Sequence, residues 1–263
     1  MAKDPFVKKP SSDPFKLRSP KAAANARADG IHQYSGSRIC RTDSKGFATP
    51  KDLSPTELKL DAHEGFVPLW AEGVTLRWRF LEQSFGYFED AESAKEGVRQ
   101  LLREALEAWG NSVPVRFTEQ RDAVDFEIVM QSTPDCDSSN RCTLAKAFFP
   151  DGGRHELFIF PQFFRQTRKE QVETLEHEFG HIFGLRHWFA NISEADWRAE
   201  VFGSDGRFTI MNYGEDSFLT DSDKSDLKRL YDMVWAGNLK EVNGTPVRLF
   251  RPYSSHLYQE KVL

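Results

Sequence analysis

The stretch Glu176–His187, EHEFGHIFGLRH, constrains this chain more than any other. His177 and His181 stand four residues apart, so on a helix their imidazoles stack one turn apart on the same side. Two ring nitrogens placed in this way can meet one Zn2+ at about 2.0–2.1 Å. Glu178 falls roughly 100° further round the helix. It is close enough to reach a water on the metal without being a ligand. Gly184 is suited to end the helix, because glycine enters the left-handed conformation at little cost, and the turn then brings His187 back as a third ligand. A histidine pair at this spacing is by itself more often a surface or core pair. HExxH alone recurs by chance in roughly one chain in a hundred. The added glycine and third histidine make coincidence far rarer, so the pattern predicts a helix over about 168–183 ending in a zinc site. Val172, Leu175, Phe179, Ile182 and Phe183 supply its buried face.

The rest of the chain gives that site a scaffold. Its 263 residues are enough for one large domain with extensions, and 39% hydrophobic with 29% charged residues fits a globular protein. No run of 18 apolar residues appears, so no membrane partner is expected. No apolar stretch near the N-terminus fits a signal peptide. Localisation stays open between the cytoplasm, export by a route without a signal peptide, and a leader already removed. Residues 1–60 hold 12 basic against 6 acidic side chains, and the remainder 23 against 34. The acidic body argues against a nucleic-acid partner, and the basic stretch reads as a solvated segment. Cys40, Cys136 and Cys142 are too few for a disulfide scaffold. Cys136 and Cys142 bracket a short polar loop, equally consistent with a disulfide and with two thiols.

Residues 1–30, rich in Pro, Ser, Lys and Ala, are expected to be disordered or extended. Val74–Phe80 alternates like a half-buried strand. Residues 91–110 carry an apolar stripe stopped by Gly110, which predicts an amphipathic helix. Strands are expected at 124–130, 144–149 and 156–160. A short helix is expected around Trp197 in SEADWRAEVFG, and an extended tail from Gly237.

HEFGHIFGLRH resembles the metzincin signature HExxHxxGxxH, and Thr209–Gly214, TIMNYG, resembles that family's methionine turn. Over residues 69–236 the resemblance narrows to the matrixins. TLRWRF is similar to their first strand, ALEAWGNSVPVRFTE to the first helix and its continuation, LAKAFFP to the edge strand, and LTDSDKSDLKRLY to the closing helix. Trp188 stands where matrixins place a serine. Lys146 stands where they place a structural-zinc histidine, leaving only His155 nearby, so neither a second zinc nor calcium is expected.

The resemblance implies an α+β metzincin-like domain: a twisted, mostly parallel sheet, three main helices and a cleft between two subdomains. It implies a basic leading segment at 1–60, disordered or propeptide-like, a catalytic domain at 61–236, and a tail at 237–263 packed on it. The implied activity is that of a monomeric zinc endopeptidase with a peptide or protein substrate lying antiparallel to the edge strand. His177, His181 and His187 would hold the zinc and Glu178 would act as general base. Met211 would pack beneath the metal. Tyr213, two residues on, is either an oxyanion-stabilising catalytic residue or a core tyrosine. Cys40, between Arg38 and Asp43, resembles the propeptide cysteine that keeps matrixins latent; the bland alternative is a thiol in a flexible leader. A zinc hydrolase of a non-peptide amide and a non-catalytic peptide-binding module stand as the other readings.

Overall fold

The computed structural model describes residues 13–18, 38–39, 58–62, 64–138, 141–187, 199–203, 209–212 and 217–259. It is an α+β fold around a mostly parallel five-stranded sheet. Three short strands precede that sheet in the chain: β1 (Arg38–Ile39), β2 (Leu58–Asp61) and β3 (Val67–Trp70). The sheet is built from β4 (Thr75–Phe80), β5 (Arg116–Glu119), β6 (Phe126–Met130), β8 (Ala145–Lys146) and β9 (His155–Ile159). Their order is β5-β4-β6-β9-β8, with only the β8–β9 pair antiparallel. A two-residue strand, β7 (Cys142–Thr143), leads into β8 and pairs in parallel with β1. The edge strand is shorter than the expected 144–149, because after Lys146 the chain leaves the ladder.

Helix α1 (Ala91–Trp109) begins where the Asp90 carboxylate accepts the Ser93 N–H at 3.1 Å, and ends at Gly110, whose φ of 57° suits glycine. Its stripe of Val98, Leu101, Ala105 and Trp109 is fully buried, each large side chain contributing about 1.5–3 kcal/mol. It packs against α2 (Arg168–Ile182), the helix that carries the histidines. After α2 come β10 (Leu185–Arg186), β11 (Ala199–Phe202) and α3 (Asp221–Trp235). The short helix expected around Trp197 falls partly on residues outside those described. Its last part, Ala199–Phe202, is a strand instead, because pairing with β2 outweighs local helical preference.

Parts of the leading segment are built into this body. Leu17 bridges to Phe88, and the Phe15 ring lies 4.6 Å from that of Phe164. A Cβ at Gly97 would stand 2.9 Å from the Phe15 ring, which explains a glycine in the middle of α1. The tail is not merely extended. β12 (Glu241–Val242) and β13 (Thr245–Phe250) form a hairpin whose turn, Asn243–Gly244, has positive φ at both positions. Asn-Gly is the preferred pair for such a turn. β13 then pairs in parallel with β3. A last helix, α4 (Tyr253–Gln259), is fixed by buried Asp125, which accepts from Ser254 N–H at 2.6 Å and Oγ at 3.0 Å. Cys136 and Cys142 are joined in a disulfide, which decides between the two readings of that loop.

Candidate metal centre

Helix α2 starts with a capping box. Thr167 Oγ1 accepts from Glu170 N–H, and the Glu170 carboxylate accepts from Thr167 N–H at 2.7 Å. About three turns on, His177 and His181 face the same side with ring centroids 4.9 Å apart, both buried, and Glu178 beside them is 2% exposed. The helix stops at Ile182, and Gly184, with φ of 93°, turns the chain. Its lack of a side chain is required twice over, since a Cβ there would lie 3.0 Å from the Pro68 carbonyl of β3. His187 then returns, fully buried, with its ring 4.9 Å from His181 and 5.1 Å from His177.

The hydrogen bonds of the rings decide which nitrogens face inward. His177 Nδ1 donates to the Ile210 carbonyl at 2.7 Å, and His181 Nδ1 to the Leu185 carbonyl at 2.8 Å. A carbonyl can only accept, so both Nδ1 atoms carry a proton, and in the neutral form of each ring the lone pair is left on Nε2. His177 Nε2 and His187 Nε2 stand 3.2 Å apart, and one donor nitrogen from each of the three rings lies within 4.8 Å of the others. Three converging imidazoles, two of them oriented by backbone carbonyls, are the donor set that fits Zn2+ with an open fourth position.

Several residues that no motif marks hold this arrangement. Carbonyls toward the end of α2 accept from aromatic donors: Trp70 Nε1 to Ile182 at 2.7 Å, Tyr231 hydroxyl to Phe183 at 3.0 Å, and, about two turns earlier, Trp109 Nε1 to Glu176 at 3.0 Å. Asp223 on α3 ties down the methionine turn. It accepts from Thr209 Oγ1 at 2.6 Å, from Ile210 N–H at 3.4 Å and from the Thr220 N–H at 2.9 Å. Burial pushes its carboxyl pKa above the ordinary value, and the same hydrogen bonds pull it back. The Thr220-x-x-Asp223 capping pattern was its only trace in the sequence. Met211 is buried, and a Cβ at Gly180 would collide with its sulfur, so Gly180 in the motif lets the methionine turn pass under the helix.

Residues 70–193 match the family profile described as Matrixin, peptidase M10. They form a matrixin-like metzincin domain. The matrixin family consists of zinc metallopeptidases. The chain that carries the domain is also similar to two solved structures of myroilysin, at 14% and 13% identity. These alignments cover 82% of this chain and 97% and 98% of the others, with TM-scores of 0.45 and 0.43. No curated protein matches in sequence.

The matrixin-like domain brings together His177, His181, His187 and Glu178 on one helix and the turn after it, with Met211 below. Tyr213 and Cys40 lie outside the described residues. Arg38–Ile39, just before Cys40, pair with Cys142–Thr143 upstream of the edge strand. His155 is stacked on Phe148, centroids 4.3 Å apart, with Nε2 2.8 Å from Asp151 Oδ1. Among the described residues the three histidines are the one cluster of three or more metal-ligating side chains.

Proposed function

We propose that this chain is a zinc-dependent endopeptidase, with His177, His181 and His187 as ligands and Glu178 as general base. The observation that carries this reading is the convergence of three buried imidazoles, with the Nδ1 atoms of His177 and His181 committed to backbone carbonyls. A zinc ion held there supplies Lewis acidity toward the substrate carbonyl and lowers the pKa of the attacking water. Glu178, adjacent to His177 in the helix, takes the proton of that water and delivers it to the amine nitrogen as the C–N bond breaks. Its burial strengthens the interaction by excluding competing solvent. The substrate strand lies antiparallel to β8, which among the described residues has β9 as its one strand neighbour and so offers its other edge to an extended peptide.

The experiment is peptide-library cleavage with and without a chelator, alongside Glu178→Gln. Cleavage within peptides should stop on chelation, and Glu178→Gln should lose at least about a hundredfold in kcat while keeping its metal. Retained activity in that variant refutes the general base. Turnover restricted to non-peptide amides refutes the substrate class.

The leading segment is read as holding the enzyme latent through Cys40, supported by the pairing of Arg38–Ile39 beside the chain that enters β8. Cys40→Ser should then raise the activity of the full chain. Equal activity would leave Cys40 without an inhibitory role.

A further inference from the structure

Spacing places His187 near the metal, yet α2 ends five residues earlier, at Ile182. What fixes the backbone in between is β2, a strand from before the domain. Asp61 N–H donates to the Gly184 carbonyl at 3.1 Å, Leu60 pairs with Leu185, and Lys59 with Arg186. On its other side β2 pairs with β11, Ala199 opposite Asp61 through Phe202 opposite Leu58. The sheet order is β10-β2-β11, so among the described residues the strand leading to His187 and the strand leading on to the methionine turn are joined in the sheet through β2.

Burial shows how firmly this register is specified. Leu60, Leu185, Arg186 and His187 are 0% exposed, Lys59 2% and Asp61 4%. Alternation along the strands puts Lys59, Asp61 and Arg186 on one face, and Leu60 with Leu185 on the other. A slip of one residue would drive the charged set into the apolar side, so this register is strongly held.

We infer that β2 is a positioning element of the metal centre, fixing the backbone from Gly184 to His187 and thereby aiming the third imidazole. This rests on the zinc reading above. The catalytic unit then begins at Leu58 rather than at residue 61, and any maturing cut that leaves an active enzyme falls before Leu58.

The test uses the full chain. Asp61→Ala removes the carboxylate but keeps the N–H that bonds Gly184, whereas Asp61→Pro removes both; proline at a strand end loses only that ladder bond. Zinc affinity is read by competition with a chromophoric chelator, and coordination by the visible spectrum of the cobalt-substituted protein. Asp61→Pro should bind zinc roughly tenfold or more weakly than Asp61→Ala, the scale typical of losing support behind a ligand, and its cobalt bands should shift. The second measurement needs no variant and decides the matter if Asp61→Pro fails to fold. Stripping the metal from the native protein should speed amide exchange at 59–61 and 185–187 together, since coupling between metal and strand is reciprocal, and leave β4 unchanged. Equal affinities and spectra in the two variants, or unchanged exchange at both segments, overturn the role of β2 while the zinc site stands. A native chain with no tightly held metal overturns the zinc reading and this inference with it.

Discussion

His177 and His181 reach the candidate metal centre by local geometry, whereas His187 follows a strand held by residues from before the domain. The first pair needs only a helix, and the capping box at Thr167 and Glu170 is enough to start one in the right frame. The third histidine needs Gly184 to turn against β3, and β2 to pair with β10. The backbone that carries the first pair is set within α2 itself, whereas the backbone that carries His187 is set by pairing with residues far away in the chain. His177 adds a third kind of support, because its Nδ1 is held by the methionine turn, which Asp223 in turn fastens to α3.

The largest effect should come from the helical half itself. His181→Ala removes one of three nitrogen donors and should abolish tight zinc binding, read as metal content after gel filtration. Unchanged content would break the assignment. Next is the support from α3. Asp223→Ala leaves the Thr209 hydroxyl and the Ile210 N–H without their acceptor and removes a cap from α3, at a cost of about 2–4 kcal/mol in denaturant unfolding. Zinc affinity should also fall roughly tenfold, because the Ile210 carbonyl that orients His177 is no longer fixed. A stability loss with unchanged affinity would show that the methionine turn does not position His177.

The smallest effect concerns Glu173, a carboxylate on α2 one turn before His177. Burial pushes Glu173 up to about 7, with Glu176 and Lys169 on the same helix as neighbouring charges. Its folded pKa lies above the unfolded one, so the folded state holds the proton more tightly. Stability from this group is greatest below about pH 4.5 and is lost as pH rises toward 7. Glu173→Gln should therefore raise Tm by on the order of 2–4 °C at pH 8 and change it little at pH 4.5, by calorimetry. An equal shift at both pH values would remove ionisation as the cause.

Much of the centre was legible because its information is local. Helix periodicity, the two-glycine, three-histidine spacing and the alternation in TLRWRF depend on residues within a turn or a strand of one another, and those elements stand where the sequence puts them. The Asn243–Gly244 turn was equally local and could have been read as a hairpin. Trp70, Trp109 and Tyr231 left no such trace. Their role is to donate a hydrogen bond to one particular carbonyl of α2, a property of where three distant segments meet. The same holds for Ala199–Phe202, whose composition suits a helix and whose strand exists only because β2 is beside it. The sequence by itself determined which atoms could bind a metal, since that follows from residue type and helical pitch. Only the tertiary structure decided which tautomers the rings adopt, what holds His187 in place and how far the leading segment belongs to the domain. Each of these depends on hydrogen bonds between residues far apart along the chain, and no short-range pattern encodes them.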